Sequence, residues 1–330
     1  MLLILSEADD GHVPMVVPKL EARGASYLWF SVSTFPREAQ IAVEYAPNGL
    51  MSRTLWCKGH AYDLSSVTAV WHRREGVMQA GDSVTEPSQR AYVEKVSSNF
   101  LDGLFAIVGG RWLPALPSVD LAANNKLYHS TVAGRLGFKL PATLITNSPP
   151  AFIDFWNRSA VPMVSKSATY REFTRDGDPY MLYTHLLSRR HAANAHLVRY
   201  SPLIFQHYVP KRVELRVTVV GNRVFCAEID SQQSRSTRHD WRHYDDPNVQ
   251  YRVHRMPAEV EARCVQLVET LGLAYGAIDL IVTPDGDYVF LEINANGQWG
   301  WVEEMTELPI AAAIADWLID GGGAQGRPHG

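Results

Sequence analysis

The sequence predicts an α/β protein of the α+β kind, divided into more than one lobe, on three observations. The chain has 330 residues, more than a single hydrophobic core ordinarily serves. Over its first third, short apolar runs alternate with amphipathic stretches in a βαβ rhythm. Further on, strand-like segments are separated by the dipeptides Gly221-Asn222 and Asp285-Gly286, which mark antiparallel hairpins.

Residues 2–5, 27–32 and 67–72 read as strands, with a helix over 13–23 between the first two. The apolar start, Met1 to Leu5, has no basic flank and meets Glu7, Asp9 and Asp10 at once. It therefore reads as a buried strand and not as a signal peptide. A helix over 88–108 closes at Gly109-Gly110, and Pro114 and Pro117 mark a linker that ends a first unit, 1–115. In a second unit, 116–200, Asp120 is expected to cap a helix running to Gly137. Strands are expected over 142–146 and 163–166, then over 203–209, 214–220 and 224–229 in a third unit, 201–320. A helix over 257–271 puts Val260, Cys264, Leu267, Val268 and Leu271 on one face and stops at Gly272. The glycine-rich 321–330 is expected to be a disordered tail.

Composition narrows the function classes. A hydrophobic content of 46% with 20% charged residues is that of an ordinary globular enzyme. A net charge of −4 argues against nucleic-acid binding, and no apolar run approaches the ~18 residues of a membrane span. Cys57, Cys226 and Cys264 are odd in number and lack metal-ligand spacing, which suits a reducing cytoplasm. The histidines form no HExxH-like pair.

Residues 277–294 carry the strongest chemical signal. Pairing outward from Asp285-Gly286 sets Asp279 opposite Glu292. Ile278, Leu280, Val282, Val289, Leu291 and Ile293 then share one face. Asp279, Ile281, Tyr288, Phe290, Glu292 and Asn294 share the other. Two carboxylates directly across a strand pair repel each other. With the amide oxygen of Asn294 they offer hard ligands suited to Mg²⁺ on a nucleotide. The alternative is a solvated sheet face, on which Ile281 and Phe290 sit poorly. Lys126, early in a helix, and Lys166, at the end of an apolar run, can meet phosphates as point charges, though taken alone each is more often a surface lysine. The strand through Gln206, His207, Tyr208 and Val209 could present its backbone to an adenine edge. Glu214 and Arg216 lie two apart on one strand face, and a structural ion pair between them is the plain reading.

Taken in order, Lys126, Lys166, Gln206 to Val209, Glu214, Arg216, Asp279, Glu292 and Asn294 resemble the ATP-grasp superfamily. The resemblance implies an ATP-grasp fold: an N-terminal α/β lobe and two lobes that clamp ATP. It implies that Lys126 and Lys166 contact the phosphates, that Gln206, His207, Tyr208 and Val209 hold the adenine, and that Glu214 also binds the nucleotide. Asp279, Glu292 and Asn294 would hold Mg²⁺, and Arg216 would stabilise the phosphoryl group in transfer. One departure is the segment 167–173, which lacks the glycine-rich loop that many of these enzymes place over the phosphates.

Residues 71–75, 227–232, 240–242 and 294–301 resemble, more narrowly, the microviridin-type (graspetide) ligases that macrocyclise ribosomal peptides. That resemblance implies a precursor peptide, leader plus acidic core, as partner, side-chain esters or amides as products, and a dimer. Arg242 is then expected in catalysis. Arg171, Arg189, Arg190, Arg235 and Asp240 are expected to contact the substrate, with Trp299 walling the acceptor pocket beside Trp241 and Trp301. Solvated surface charge and core tryptophans are the alternatives. The rival functions are an ATP-grasp ligase of small amino acids and a non-catalytic nucleotide or peptide sensor. The roughly forty residues between Lys166 and Gln206, which include an amphiphilic piece over 180–187, favour a peptide substrate.

Overall fold

The computed structural model describes residues 1–49, 51–167, 173–175, 178–180, 184–233 and 249–321. The chain begins with β1 (Leu2–Ser6), α1 (Val13–Glu21), β2 (Tyr27–Phe30), β3 (Gln40–Tyr45), β4 (Met51–Cys57), β5 (His60–Asp63), β6 (Ala69–Arg74), α2 (Pro87–Ile107) and β7 (Arg111–Leu113). β1 is parallel to β2 and β6, and β6 to β7, in the order β2-β1-β6-β7. An unbroken apolar run in β1 is what a parallel strand covered on both faces requires. Leu3 and Leu5 pack with Leu101, Leu104 and Phe105 of α2, while Leu2 and Ile4 pack with Val13, Val16 and Leu20 of α1. The antiparallel meander β3-β4-β5 is an element that sequence pattern alone did not reveal, because its strands alternate weakly and are mostly exposed.

The next part holds α3 (Pro117–Ala123), α4 (Lys126–Arg135), β8 (Thr143–Thr146), α5 (Pro149–Arg158), β9 (Met163–Ser167), β10 (Phe173–Arg175), β11 (Asp178–Tyr180), β12 (His185–Leu186), α6 (Arg189–Ala193) and β13 (Leu203–His207). Its antiparallel sheet runs β12-β9-β13-β8, over a core of Phe152, Met163, Ala195, Val198 and Phe205. The single helix expected from Asp120 to Gly137 is two helices. Asn125 has extended backbone and its side chain accepts the N–H groups of Leu127 and Tyr128, so it caps α4 while Asp120 lies inside α3. An asparagine that captures backbone amides interrupts a helix and starts a new one. Lys126 thereby becomes the first residue of α4. Of the 180–187 piece, Tyr180 ends β11 and His185–Leu186 form the edge strand β12, antiparallel to β9.

The last part holds β14 (Val213–Val220), β15 (Arg223–Ile229), β16 (Tyr251–Val253), α7 (Ala258–Thr270), β17 (Tyr275–Val282), β18 (Tyr288–Asn294), α8 (Gly300–Thr306) and α9 (Ile310–Asp320). The antiparallel order is β16-β15-β14-β17-β18. Val213, Leu215, Val217 and Val219 of β14 pack with Val260, Cys264, Leu267 and Val268 of α7, leaving Glu214 and Arg216 to the other face. Apolar residues of α9, Ile310, Ile314 and Leu318 among them, share a core with Leu2, Ile4 and α1, which ties the chain's end to its beginning. Gly321 takes φ 75° as the C-terminal cap of α9, so the helix uses the residue at which the tail was expected to start. The rest of that expected tail, 322–330, lies outside the described residues. No described helix is long and apolar enough to cross a membrane.

Candidate active site

The β17–β18 hairpin closes one residue wider than the two-residue turn expected at Asp285-Gly286: Thr283 N–H donates to the Asp287 carbonyl across residues 284–286, with Gly286 at φ 88°. From there the pairs are Val282 with Tyr288, Ile281 with Val289 and Leu280 with Phe290. The register then slips by one residue, and Asp279 pairs with Glu292 as the sequence suggests. Leu291 is the extra residue of this bulge. The slip overturns the expected faces on the turn side. Tyr288 and Phe290 pack toward the core with Ile278, Leu280 and Ile293, and Val289 lies on the carboxylate side. The Phe290 N–H donates to the Lys139 carbonyl.

Each carboxylate has a cation beside it. Arg216 Nη1 donates to Asp279 Oδ1 at 2.9 Å, from the neighbouring position on β14. Lys126 Nζ is 2.9 Å from Glu292 Oε2. Burial pushes the Asp279 carboxyl up, Arg216 pulls it down, and Glu292 pushes it up again, for a net rise. Glu214 does not pair with Arg216, as its position on the strand suggested. It accepts from Lys211 Nζ at 2.7 Å and from Ser231 Oγ at 2.7 Å, in a buried cluster. Arg216 finds its partner on a neighbouring strand, whereas Glu214 takes Lys211, three residues before it. Lys211 carried no sequence signal beyond its nearness to Glu214.

Beside these groups lies a cavity of about 660 Å³, lined among others by Lys126, Thr143, Lys166, Gln206 and Glu292. It thus unites two lysines, a strand of the middle sheet and a carboxylate of the hairpin. Gln206 Nε2 donates to Thr143 Oγ1 at 3.0 Å across β13 and β8. His207 stacks on Phe155, ring centres 5.1 Å apart, Tyr208 N–H donates to the Pro162 carbonyl, and Val209 is half-buried. Asn294 Oδ1 accepts the Asn296 N–H at 3.0 Å, which leaves a second lone pair on that oxygen. Among the described residues no group of three or more His, Cys, Asp or Glu is arranged for a metal. The donor set of Asp279, Glu292 and the Asn294 amide is nonetheless all oxygen and anionic, and two facing carboxylates taken out of water suit a hard divalent cation.

The expected substrate contacts divide. Arg189 and Arg190 stand exposed at the start of α6. Trp299 is 1% exposed and packs among Val13, Trp71, Tyr275 and Val302, with its ring edge-on to His12. That is the setting of a core residue, and Trp299 does not line the cavity described above. Trp301 is half-buried against Tyr251. Arg171, Arg235, Asp240, Trp241 and Arg242 lie outside the described residues, as does 168–172, where the phosphate cover was expected.

Residues 1–120 match the MvdD pre-ATP grasp domain family, and residues 123–318 match the RimK-like ATP-grasp domain family. The fold is similar to a Chryseobacterium gregarium RiPP-associated ATP-grasp ligase in complex with ADP and a leader and core peptide. That match has 28% identity over 97% of this chain and 96% of that one, with a TM-score of 0.90. It is also similar to the macrocyclase MdnC of Microcystis aeruginosa bound with precursor peptide MdnA, at 30% identity over 97% of this chain and all of that one, with a TM-score of 0.85. Human N-acetylaspartylglutamate synthase A is 30% identical over 129 residues. These are 38% of this chain and 32% of that protein, so the chain spans about a third of that relative's length.

Proposed function

We propose, for a chain that belongs to the RimK-like ATP-grasp family and has the ATP-grasp fold, that it is a ligase acting on a ribosomal precursor peptide. On this reading it phosphorylates Asp or Glu side chains of the peptide and joins them to Ser, Thr or Lys side chains as esters or amides. The observation that carries the reading is the facing pair Asp279 and Glu292, with Arg216 and Lys126 as their cations, at a cavity that also holds Lys166. Similarity along nearly the whole chain to a ligase in complex with ADP and a leader and core peptide supports the peptide as substrate.

The chemistry follows from these groups. A carboxylate oxygen of the peptide attacks the γ-phosphorus of ATP, and ADP leaves. Lys126 and Lys166 hold the phosphate oxygens as point charges, and Gln206 to Val209 line the nucleotide's base. Arg216 faces the charge that spreads over the transferring phosphoryl group. Bound by Asp279, Glu292 and Asn294, Mg²⁺ would supply neutralisation of the phosphate charge. The hydroxyl or amine of the acceptor side chain then attacks the acyl carbon, phosphate leaves, and the proton of the nucleophile is lost with it. Excluding water and holding the two side chains together are the remaining tasks of the protein. Arg189 and Arg190 are surface cations available to acidic peptide residues, and Arg171, Arg235, Asp240 and Arg242 belong to the same proposed set. A reducing cytoplasm fits the free, buried thiols of Cys57, Cys226 and Cys264, and a homodimer is part of the same reading.

The test is to incubate the protein with MgATP and an acidic, Ser/Thr-containing precursor peptide and record the intact peptide mass. Loss of one water per ring, with ADP and phosphate released in step, is expected, and Asp279→Ala and Glu292→Ala should abolish it. Peptide left unchanged while free amino acids drive ATP turnover would replace this reading with a small-molecule ligase, the reading that the partial match to N-acetylaspartylglutamate synthase A favours.

A further inference from the structure

Behind the site, at the seam between the first and last parts of the chain, lies a buried polar cluster that the proposed reaction does not use. Asp10 is 2% exposed and Arg73 7% exposed. Asp10 Oδ2 accepts from Ser6 Oγ at 2.8 Å and lies 3.5 Å from Arg73 Nε. Asp10 Oδ1 accepts the His12 N–H at 3.1 Å and lies 2.7 Å from His12 Nδ1. Arg73 Nη2 lies 3.0 Å from His12 Nδ1 and 3.3 Å from its Nε2, and the Trp299 N–H donates to Nε2 at 3.4 Å.

Arg73 then reaches out of this cradle across more than two hundred residues of sequence. Its Nη1 donates to the Asn296 carbonyl at 2.7 Å and lies 3.3 Å from Asn296 Oδ1. Asn296 Nδ2 donates in turn to the His72 carbonyl at 3.1 Å. The turn so gripped, residues 294–298, begins at Asn294, a proposed metal ligand, and ends at Gln298, whose carbonyl accepts Arg216 Nη2 at 3.0 Å. Tyr275 Oη donates to the Gly297 carbonyl at 2.7 Å. A Cβ on Gly297 would lie 2.6 Å from Arg216 Nη2, so the turn and the guanidinium are fitted to each other with no slack.

We infer that Arg73, seated on Asp10 and His12, is a positioning residue that holds the 294–298 turn and, through the Gln298 carbonyl, aims Arg216 at the transferring phosphoryl group. The inference rests on the role proposed above for Arg216. It assigns the N-terminal lobe a part in the chemistry: its buried charge pair is the far anchor of a guanidinium on β14. Lysine at position 73 keeps the charge but cannot reach Asp10, His12 and the Asn296 carbonyl together, because it lacks the planar fork. The nucleotide cavity is lined by other elements, so binding of ATP is separable from this anchor.

The experiment compares wild type, Arg73→Lys, Asp10→Asn and the double variant in two assays. One is hydrolysis of MgATP without acceptor, which reads phosphoryl transfer to water. The other is ring formation on an acidic Ser/Thr-containing peptide. Expected is a fall in the kcat of hydrolysis by about tenfold or more in Arg73→Lys, since small misplacements of a catalytic group are costly. The KM for MgATP should stay within about twofold. The double variant should be little worse than the worse single one, because both act through one turn. A kcat near wild type in Arg73→Lys would overturn the inference, as would KM rising in step with the loss of kcat or full recovery of kcat at low temperature, where a merely loosened fold is restored. Wild type that hydrolyses MgATP but forms no ring would overturn the peptide reading and leave the hydrolysis comparison to decide this one. Wild type inactive in both assays would overturn both.

Discussion

Asp279 and Glu292 face each other across the β17–β18 ladder, and a different cation answers each: Arg216 from the adjacent strand and Lys126 from the first turn of α4. The site therefore meets its like-charge repulsion from two directions, one inside the sheet and one across the cavity.

A cation shared by the two carboxylates would add to the stability of the folded chain. MgADP at about a hundred times its Kd should stabilise the protein by ~2.7 kcal/mol, by mass action. This is read as a rise in Tm over the apo protein. Asp279→Asn combined with Glu292→Gln should remove most of the part that depends on Mg²⁺. An unchanged Mg²⁺-dependent rise in that double variant would place the cation elsewhere.

Asn125 holds Lys126 at the start of α4 by accepting two backbone N–H groups. Asn125→Ala should cost about 1 kcal/mol of stability, the ordinary value for a lost cap. It should also raise the KM for ATP, because Lys126 then rides on a frayed first turn. Chemical denaturation and steady-state kinetics check the two halves separately.

Gly297 has no room for a side chain. A Cβ there would lie 2.5 Å from that of Ala277 and 2.6 Å from Arg216 Nη2. Gly297→Ala should destabilise by about 1–3 kcal/mol through overpacking and lower kcat by displacing Arg216. Wild-type turnover in a stable Gly297→Ala protein would contradict that fit.

The pH dependence of stability has a definite sign at Asp10. Burial alone would raise its carboxyl, but bonds from His12 and Ser6 and the charge of Arg73 outweigh it and hold the group well below the usual carboxylate range. A depressed folded value means stability that is fully present above the unfolded value of about 3.9 and is lost as pH falls through the folded value. Melting curves from pH 6 down to 2 should show a shallower acid loss in Asp10→Asn than in wild type, from a lower starting stability.

Trp299 separates a core role from a pocket role. Trp299→Ala should lose about 3–5 kcal/mol, as for a buried aromatic, as measured by denaturant unfolding. A variant of unchanged stability with raised peptide KM would restore the pocket wall.

Local sequence determined much of this protein by itself. The turn signal at Asp285-Gly286 and the alternation around it placed Asp279 near Glu292, but their direct pairing depends on the bulge at Leu291, which offsets a turn one residue wider than the sequence suggests. The buried strand at 2–5 and the long helix after Pro87 were legible from local pattern as well. Tertiary structure decided what depends on partners distant in the chain. The bulge at Leu291 forms as Phe290 turns inward toward the core and bonds to Lys139, and no local pattern encodes that. Arg216 chose Asp279 on a neighbouring strand, and Glu214 took the hydroxyl of Ser231 beside the nearby Lys211, because a buried charge settles with whichever partners the packing brings closest. Trp299 went to the core because α1 and α9 meet over it. The Asp10, His12, Arg73 and Asn296 cluster assembles residues from opposite ends of the chain, and only folding brings them into contact.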